Sequence, residues 1–205
     1  MGKGTRRIIM AAAAMTALAL TGGTSRAADR LGPVVVVHLA DLAGVGSGGL
    51  SRTMAQAQRV FEAAGIRLVW SDAKEGPGAR ACEGLNVFVT LLSPRQLLQL
   101  GDRESVLGRA TWAEGQAWIY PDRISLLAWQ KSMDDRALLG LVIAHEVGHL
   151  LLPGSGHSSN GIMTAGIDTD PRAVQARFTP RESQAIRALL ESKTGESGGR
   201  GACVN

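Results

Sequence analysis

Ala144-His145-Glu146-Val147-Gly148-His149-Leu150-Leu151-Leu152-Pro153-Gly154-Ser155-Gly156-His157 is the stretch on which the reading of this chain turns. Residues four apart on an α-helix lie one turn apart on the same face, so a helix here sets His145 beside His149. Two imidazoles so placed can share one metal ion. Glu146, next to the first, can reach water at that metal and accept its proton. The flanks predict the helix. Ser132-Met133-Asp134-Asp135 has the spacing of a capping box, and a helix over 134–152 follows. Leu138, Leu139, Leu141, Val142, Ile143, Val147, Leu150 and Leu151 occupy nearly every side of it, which marks a buried helix. Pro153-Gly154 stops it. Without a metal, burying a Glu and two His among these apolar residues is costly.

A catalytic ion needs a third protein ligand and one open position. His157 is the favoured candidate, because Pro153-Gly154-Ser155-Gly156 lets the chain turn back towards the first two. Asp168, Asp170 and Glu182 are rivals. Both Asp residues precede Pro171 in a turn-like stretch, and Glu182 is better explained by capping a last helix. The remaining histidine, His38, lies in a β-branched run and reads as a hydrogen-bonded core residue.

His145-Glu146-x-x-His149, then Gly154-x-x-His157-Ser158, then Gly161-Ile162-Met163 resembles the metzincin clan of zinc peptidases, and most its matrixin branch. The resemblance covers Ala144 to Thr164. It implies zinc held by His145, His149 and His157, with Glu146 as general base and Met163 in a methionine turn beneath the metal. It also implies hydrolysis of peptide bonds, and a peptide strand pairing with an edge strand at 117–120, so that Trp118, Ile119 and Tyr120 touch substrate. Leu152, Thr164 and Ala165 would wall the pocket for the residue after the cut bond. In the family the turning glycine comes three residues after the second histidine. Here Gly154 comes five after, although Gly-x-x-His is kept. No cysteine-switch segment and no long loop rich in Asp, Gly and His is present, which implies a minimal relative of that branch. A second reading keeps the zinc and the fold but cuts nothing: a zinc-stabilised binding module.

The rest of the chain predicts an α+β domain, with a small twisted mixed sheet, the buried zinc-binding helix and a C-terminal helix. Val34-Val35-Val36-Val37-His38-Leu39 reads as a buried strand, 44–49 as a glycine-rich turn and 50–64 as a helix ended by Gly65. Strands follow at 66–70 and 85–92, a short helix at 94–100 and an edge pair at 106–112 and 117–120. A helical turn at 124–130 leads into the metal-site helix. Thr179 and Glu182 form a capping box for a helix over 180–191. Trp70, Trp112, Trp118 and Trp129 are scattered over separate elements, which predicts core packing.

Lys3, Arg6 and Arg7, the apolar run 8–20 and Ser25-Arg26-Ala27 read as an export signal over 1–27. The peptidase domain is expected over 28–194 and a glycine-rich tail over 195–205. The net charge of +4 comes from the signal: without its four basic residues, eighteen basic residues face eighteen acidic ones. A neutral mature chain offers nothing to nucleic acid or an anionic surface. It is expected to be a monomer, periplasmic or extracellular, with a peptide or protein substrate and no integral membrane segment after cleavage. In such a compartment Cys82 and Cys203 could form one disulfide.

Overall fold

The computed structural model describes residues 32–72, 84–101, 103, 105–152, 154, 156–166 and 176–197. The signal expected over 1–27, the loop expected after Asp72, Cys82, Cys203, Asp168 and Asp170 lie outside the described residues. The architecture is mixed α and β. In chain order the elements are strand β1 (Val34–Asp41), helix α1 (Ser47–Glu62), β2 (Arg67–Asp72), β3 (Leu85–Leu91) and helix α2 (Pro94–Leu100). Then come β4 (Gly108–Thr111), a 3-10 turn (Trp112–Glu114), β5 (Gln116–Ile119) and helices α3 (Pro121–Gln130), α4 (Asp135–Leu151) and α5 (Pro180–Ser197).

The five strands lie in the order β2-β1-β3-β5-β4. All are parallel to their neighbours except β4, which runs antiparallel to β5 on the outer edge. Period-2 alternation puts Val35, Val37 and Leu39 of β1, Leu68 of β2, Val87, Val89 and Leu91 of β3, and Ala117 and Ile119 of β5 into one core. Helix α4 packs on β3, β4, β5, α1 and α3. Surrounded in this way, it buries every residue from Leu138 to Gly148, as expected for a helix apolar on all sides. Gly140 makes the close crossing of α1 possible: a Cβ there would come within 2.5 Å of the Thr53 carbonyl oxygen.

Three local expectations are corrected. Helix α1 starts at Ser47, inside the expected glycine turn, because Asp41 organises the turn early. Its carboxylate accepts hydrogen bonds from the backbone of Gly44, Val45 and Gly46 at 2.9–3.2 Å. The cap of α4 is Asp134, which accepts from the backbone of Arg136 and Ala137, both at 2.9 Å. Ser132 instead sits at φ 54 in the turn after α3. Trp112 and Trp129 are not core residues, being 61% and 80% exposed. The first opens the 3-10 turn and the second projects from the outer side of α3. The capping box of α5 is present as expected: Thr179 donates its backbone N–H to Glu182 at 2.7 Å, and the Thr179 hydroxyl accepts from the Glu182 backbone. The helix runs to Ser197, past its expected end. Among the described residues no helix is long and apolar enough to cross a membrane.

Candidate metal centre

Helix α4 carries His145 and His149 one turn apart, and the chain after it brings up His157. The His149 Nε2 lies 3.1 Å from Nε2 of His145 and 3.3 Å from Nε2 of His157. All three ligand atoms fall within 4.8 Å of one another. One imidazole N–H can satisfy only one such neighbour, so three ring nitrogens crowded about a point are poorly served by hydrogen bonding alone. They are well served by an ion. Tetrahedral coordination at about 2.0–2.1 Å separates ligand nitrogens by roughly 3.3–3.4 Å, close to the spacings found. The donor set therefore fits a metal ion.

The protonation of the rings supports that fit. His145 Nδ1 donates to the Ile162 carbonyl oxygen at 2.7 Å, which turns the lone pair of its Nε2 towards the cluster. Burial pushes the His145 ring below its ordinary value of 6.5. The Ile162 hydrogen bond opposes that shift, His157 adds to it and the Glu182 charge opposes it. Burial, followed by the neighbouring His145 and His157, pushes His149 down to about 4. Both α4 rings are thus neutral near pH 7 and have nitrogen lone pairs to offer.

The two additional residues before Gly154 are absorbed as helix. α4 continues through Leu150 and Leu151, the backbone N–H of Leu152 still reaches the Gly148 carbonyl at 2.9 Å, and Gly154 turns the chain at φ 74. His157 then joins the other two rings. A compact turn follows. Ser158 and Thr164 form a parallel bridge, the Ser158 N–H donates to the Met163 carbonyl at 2.8 Å, and the Ile162 N–H donates to the Arg177 carbonyl at 2.8 Å. This turn delivers the Ile162 carbonyl to His145 and buries Met163 against α4. Gly148 provides the space: a Cβ there would lie 2.5 Å from Met163 Sδ and 2.9 Å from Phe178 Cε1.

Glu146 is 7% exposed, and burial pushes its carboxyl from an ordinary 4.5 up to about 7. It faces β4, where a Cβ on Gly108 would fall 2.8 Å from its Cγ. Glu182 stays in its capping box. His38 is a buried strand residue, bonded through Nε2 to Asn86 Oδ1 at 2.8 Å and stacked on Phe88.

The expected edge strand at 117–120 is corrected. β5 is paired with β3 on one side and β4 on the other, so it has no free edge. Ile119 and Tyr120 are fully buried, and Trp118 is half-buried. Among the described residues the outer strand on this side of the sheet is β4. The Tyr120 N–H donates to the Leu107 carbonyl, so in the antiparallel ladder the hydrogen-bonded pairs fall at 107, 109 and 111. The backbone groups of Gly108 and Ala110 point outward. A sequence signal for this existed: a glycine within a strand often marks close approach of another group.

No family model matches the sequence, and no curated protein matches it. Similar solved structures include a zinc-dependent peptidase from Methanocorpusculum labreanum, at 18% identity and TM-score 0.49, over 74% of this chain and 99% of that one. An archaemetzincin from Methanopyrus kandleri matches at 13% identity and TM-score 0.48, over 78% and 96%. An archaemetzincin from Archaeoglobus fulgidus, complexed with malonate, matches at 14% identity and TM-score 0.39, over 74% and 99%. At such identities and scores the functional reading rests on the residues of the site itself.

Proposed function

We propose that the chain is an exported zinc-dependent endopeptidase. The observation that carries this reading is the convergence of three ring nitrogens, two of them from a helix whose Glu146 is buried against β4, an outer strand of the sheet among the described residues. An all-imidazole, three-ligand set suits zinc and leaves one position for water or substrate, whereas purely structural zinc sites close all four. When bound, zinc supplies Lewis acidity that polarises a carbonyl and lowers the pKa of water to about 7.

The chain supplies the rest. His145, oriented by the Ile162 carbonyl, His149 and His157 hold the ion. Glu146, buried next to the first ligand in the chain, accepts a proton from the attacking water and passes it to the leaving amine. Met163 is the apolar floor under the site and binds nothing. The outward groups of Gly108 and Ala110 pair with an extended peptide by strand addition, which favours cutting within a chain over trimming its ends. The basic and apolar residues 1–27 support export, to a periplasm or beyond the cell.

The test is cleavage of an unfolded protein or a peptide library by zinc-loaded protein beside Glu146→Gln. Internal cleavage by the parent, lost in a variant that keeps its zinc, supports the proposal. Retention of zinc with no cleavage by the parent would replace it with a zinc-stabilised binding module.

A further inference from the structure

We infer that Gly108 is a positioning residue for Glu146: its missing side chain is the space in which the carboxylate is seated against the edge strand. The inference rests on the reading of Glu146 as proton acceptor. The measurements are direct. An ideal Cβ at Gly108 would lie 2.8 Å from Glu146 Cγ, 3.0 Å from Oε1 and 3.1 Å from Cδ. All three are shorter than an ordinary van der Waals contact of about 3.5–4.0 Å between carbon atoms, and they involve the whole outer half of the side chain.

Nothing in the backbone demands glycine here. Gly108 is in β4 and is not among the glycines of positive φ, so any residue could adopt its conformation. Gly108 opens β4, and glycine in a strand costs up to roughly 0.5–1 kcal/mol relative to alanine. The space is what glycine adds. Glu146 cannot retreat easily, because it is 7% exposed on a helix buried on all sides.

The same residue also faces outward. Gly108 belongs to a pair that is not hydrogen-bonded to β5, so its N–H and C=O are among the groups left for an added peptide strand. One residue therefore leaves the proton acceptor its space, where a side chain would stand, and offers its outward amide groups to the substrate main chain. Gly108 fixes the register between the bond to be cut and the carboxylate that serves it. A small displacement in such a site is expensive: about 1 Å can cost on the order of 100-fold in rate.

The experiment uses the full chain with Gly108→Ala, Glu146→Ala, the double variant, and Gly48→Ala as control, because a Cβ at Gly48 meets nothing within 4 Å. In the zinc-loaded protein, Gly108→Ala is expected to keep one zinc. Its kcat should fall on the order of 10- to 100-fold while KM changes little; Gly48→Ala should keep the parent kcat. Independently of activity, Gly108→Ala should lower the unfolding midpoint in the parent background, and much less or not at all once Glu146→Ala has removed the crowded atoms. If Gly108→Ala folds only together with Glu146→Ala, that supports the inference in the same way. Equal destabilisation in both backgrounds, or a zinc-loaded Gly108→Ala with the parent kcat, would overturn it. A parent that cleaves nothing would refute the peptidase reading alone, and the stability cycle would still decide whether Gly108 seats Glu146.

Discussion

Exchanging Gly148 for alanine tests the packing beneath the metal centre, because two terms of known sign compete there. In a helix interior, alanine is favoured over glycine by about 0.5–1 kcal/mol. Against that, the added methyl would sit 2.5 Å from Met163 Sδ and 2.9 Å from Phe178 Cε1. Both neighbours are core residues. The Met163 thioether is flexible but enclosed, and the Phe178 ring is braced edge-on against Phe61 at 5.0 Å. Overpacking of this kind costs about 1–3 kcal/mol. With two contacts below 3.0 Å, the upper part of that range applies, for a net loss of about 1–2 kcal/mol. In a domain of this size that lowers Tm by about 2–8 °C. Because Met163 lies in the turn that holds the Ile162 carbonyl against His145, zinc affinity should fall as well. The assay is thermal unfolding with and without zinc, beside Gly48→Ala. The control has open space and should be as stable as the parent or more so. A Gly148→Ala protein as stable as Gly48→Ala would refute the claim that Met163 and Phe178 are packed onto this helix.

The metal-free protein should show two opposed pH effects. His149 is pushed down to about 4 from 6.5, so the stability it contributes is present above 6.5 and is lost as pH falls towards 4; chemical denaturation of His149→Gln should show a shallower acid decline than the parent. Glu146 is pushed up to about 7 from 4.5, so its contribution is present below 4.5 and is lost as pH rises through 7. Metal-free Glu146→Gln should therefore gain on the parent between pH 5 and pH 8 in the same assay. Thr179→Ala removes one half of the capping box of α5 and should cost about 1 kcal/mol, read as a shift in the urea midpoint at constant slope.

The parts of the site that were legible in sequence are those set by local spacing. His145 and His149 are a helical pair four residues apart, and α4 is apolar on every side, so a helix was the only element that could hold them together. Thr179 and Glu182 likewise signal their helix through a pattern three residues long. What depends on tertiary pairing was not legible. Strands β4 and β5 are both short, four residues each, and only sheet order decides that β4 is the outer one, so the edge expected at 117–120 lies one strand further in. Asp41 lies several residues before α1 and still sets its start, which no capping pattern at Gly44–Gly49 reveals. Trp112 and Trp129 are aromatic enough to suggest a core, but their side chains leave it because of where the 3-10 turn and the outer side of α3 face. Gly148 looks like an ordinary glycine, since Met163, which needs its space, comes from elsewhere in the fold, and Gly108, although a strand glycine signals a close approach, does not reveal that Glu146 is the group approaching.

The central claim is most directly tested by metal analysis of the purified protein beside His157→Ala. The account predicts about one zinc per chain in the parent and a large loss of affinity in the variant, because two imidazoles cannot replace a three-nitrogen set. Full zinc retention by His157→Ala would transfer the third ligand to another residue and contradict the site described, and absence of zinc from the parent would leave α4 a structural helix.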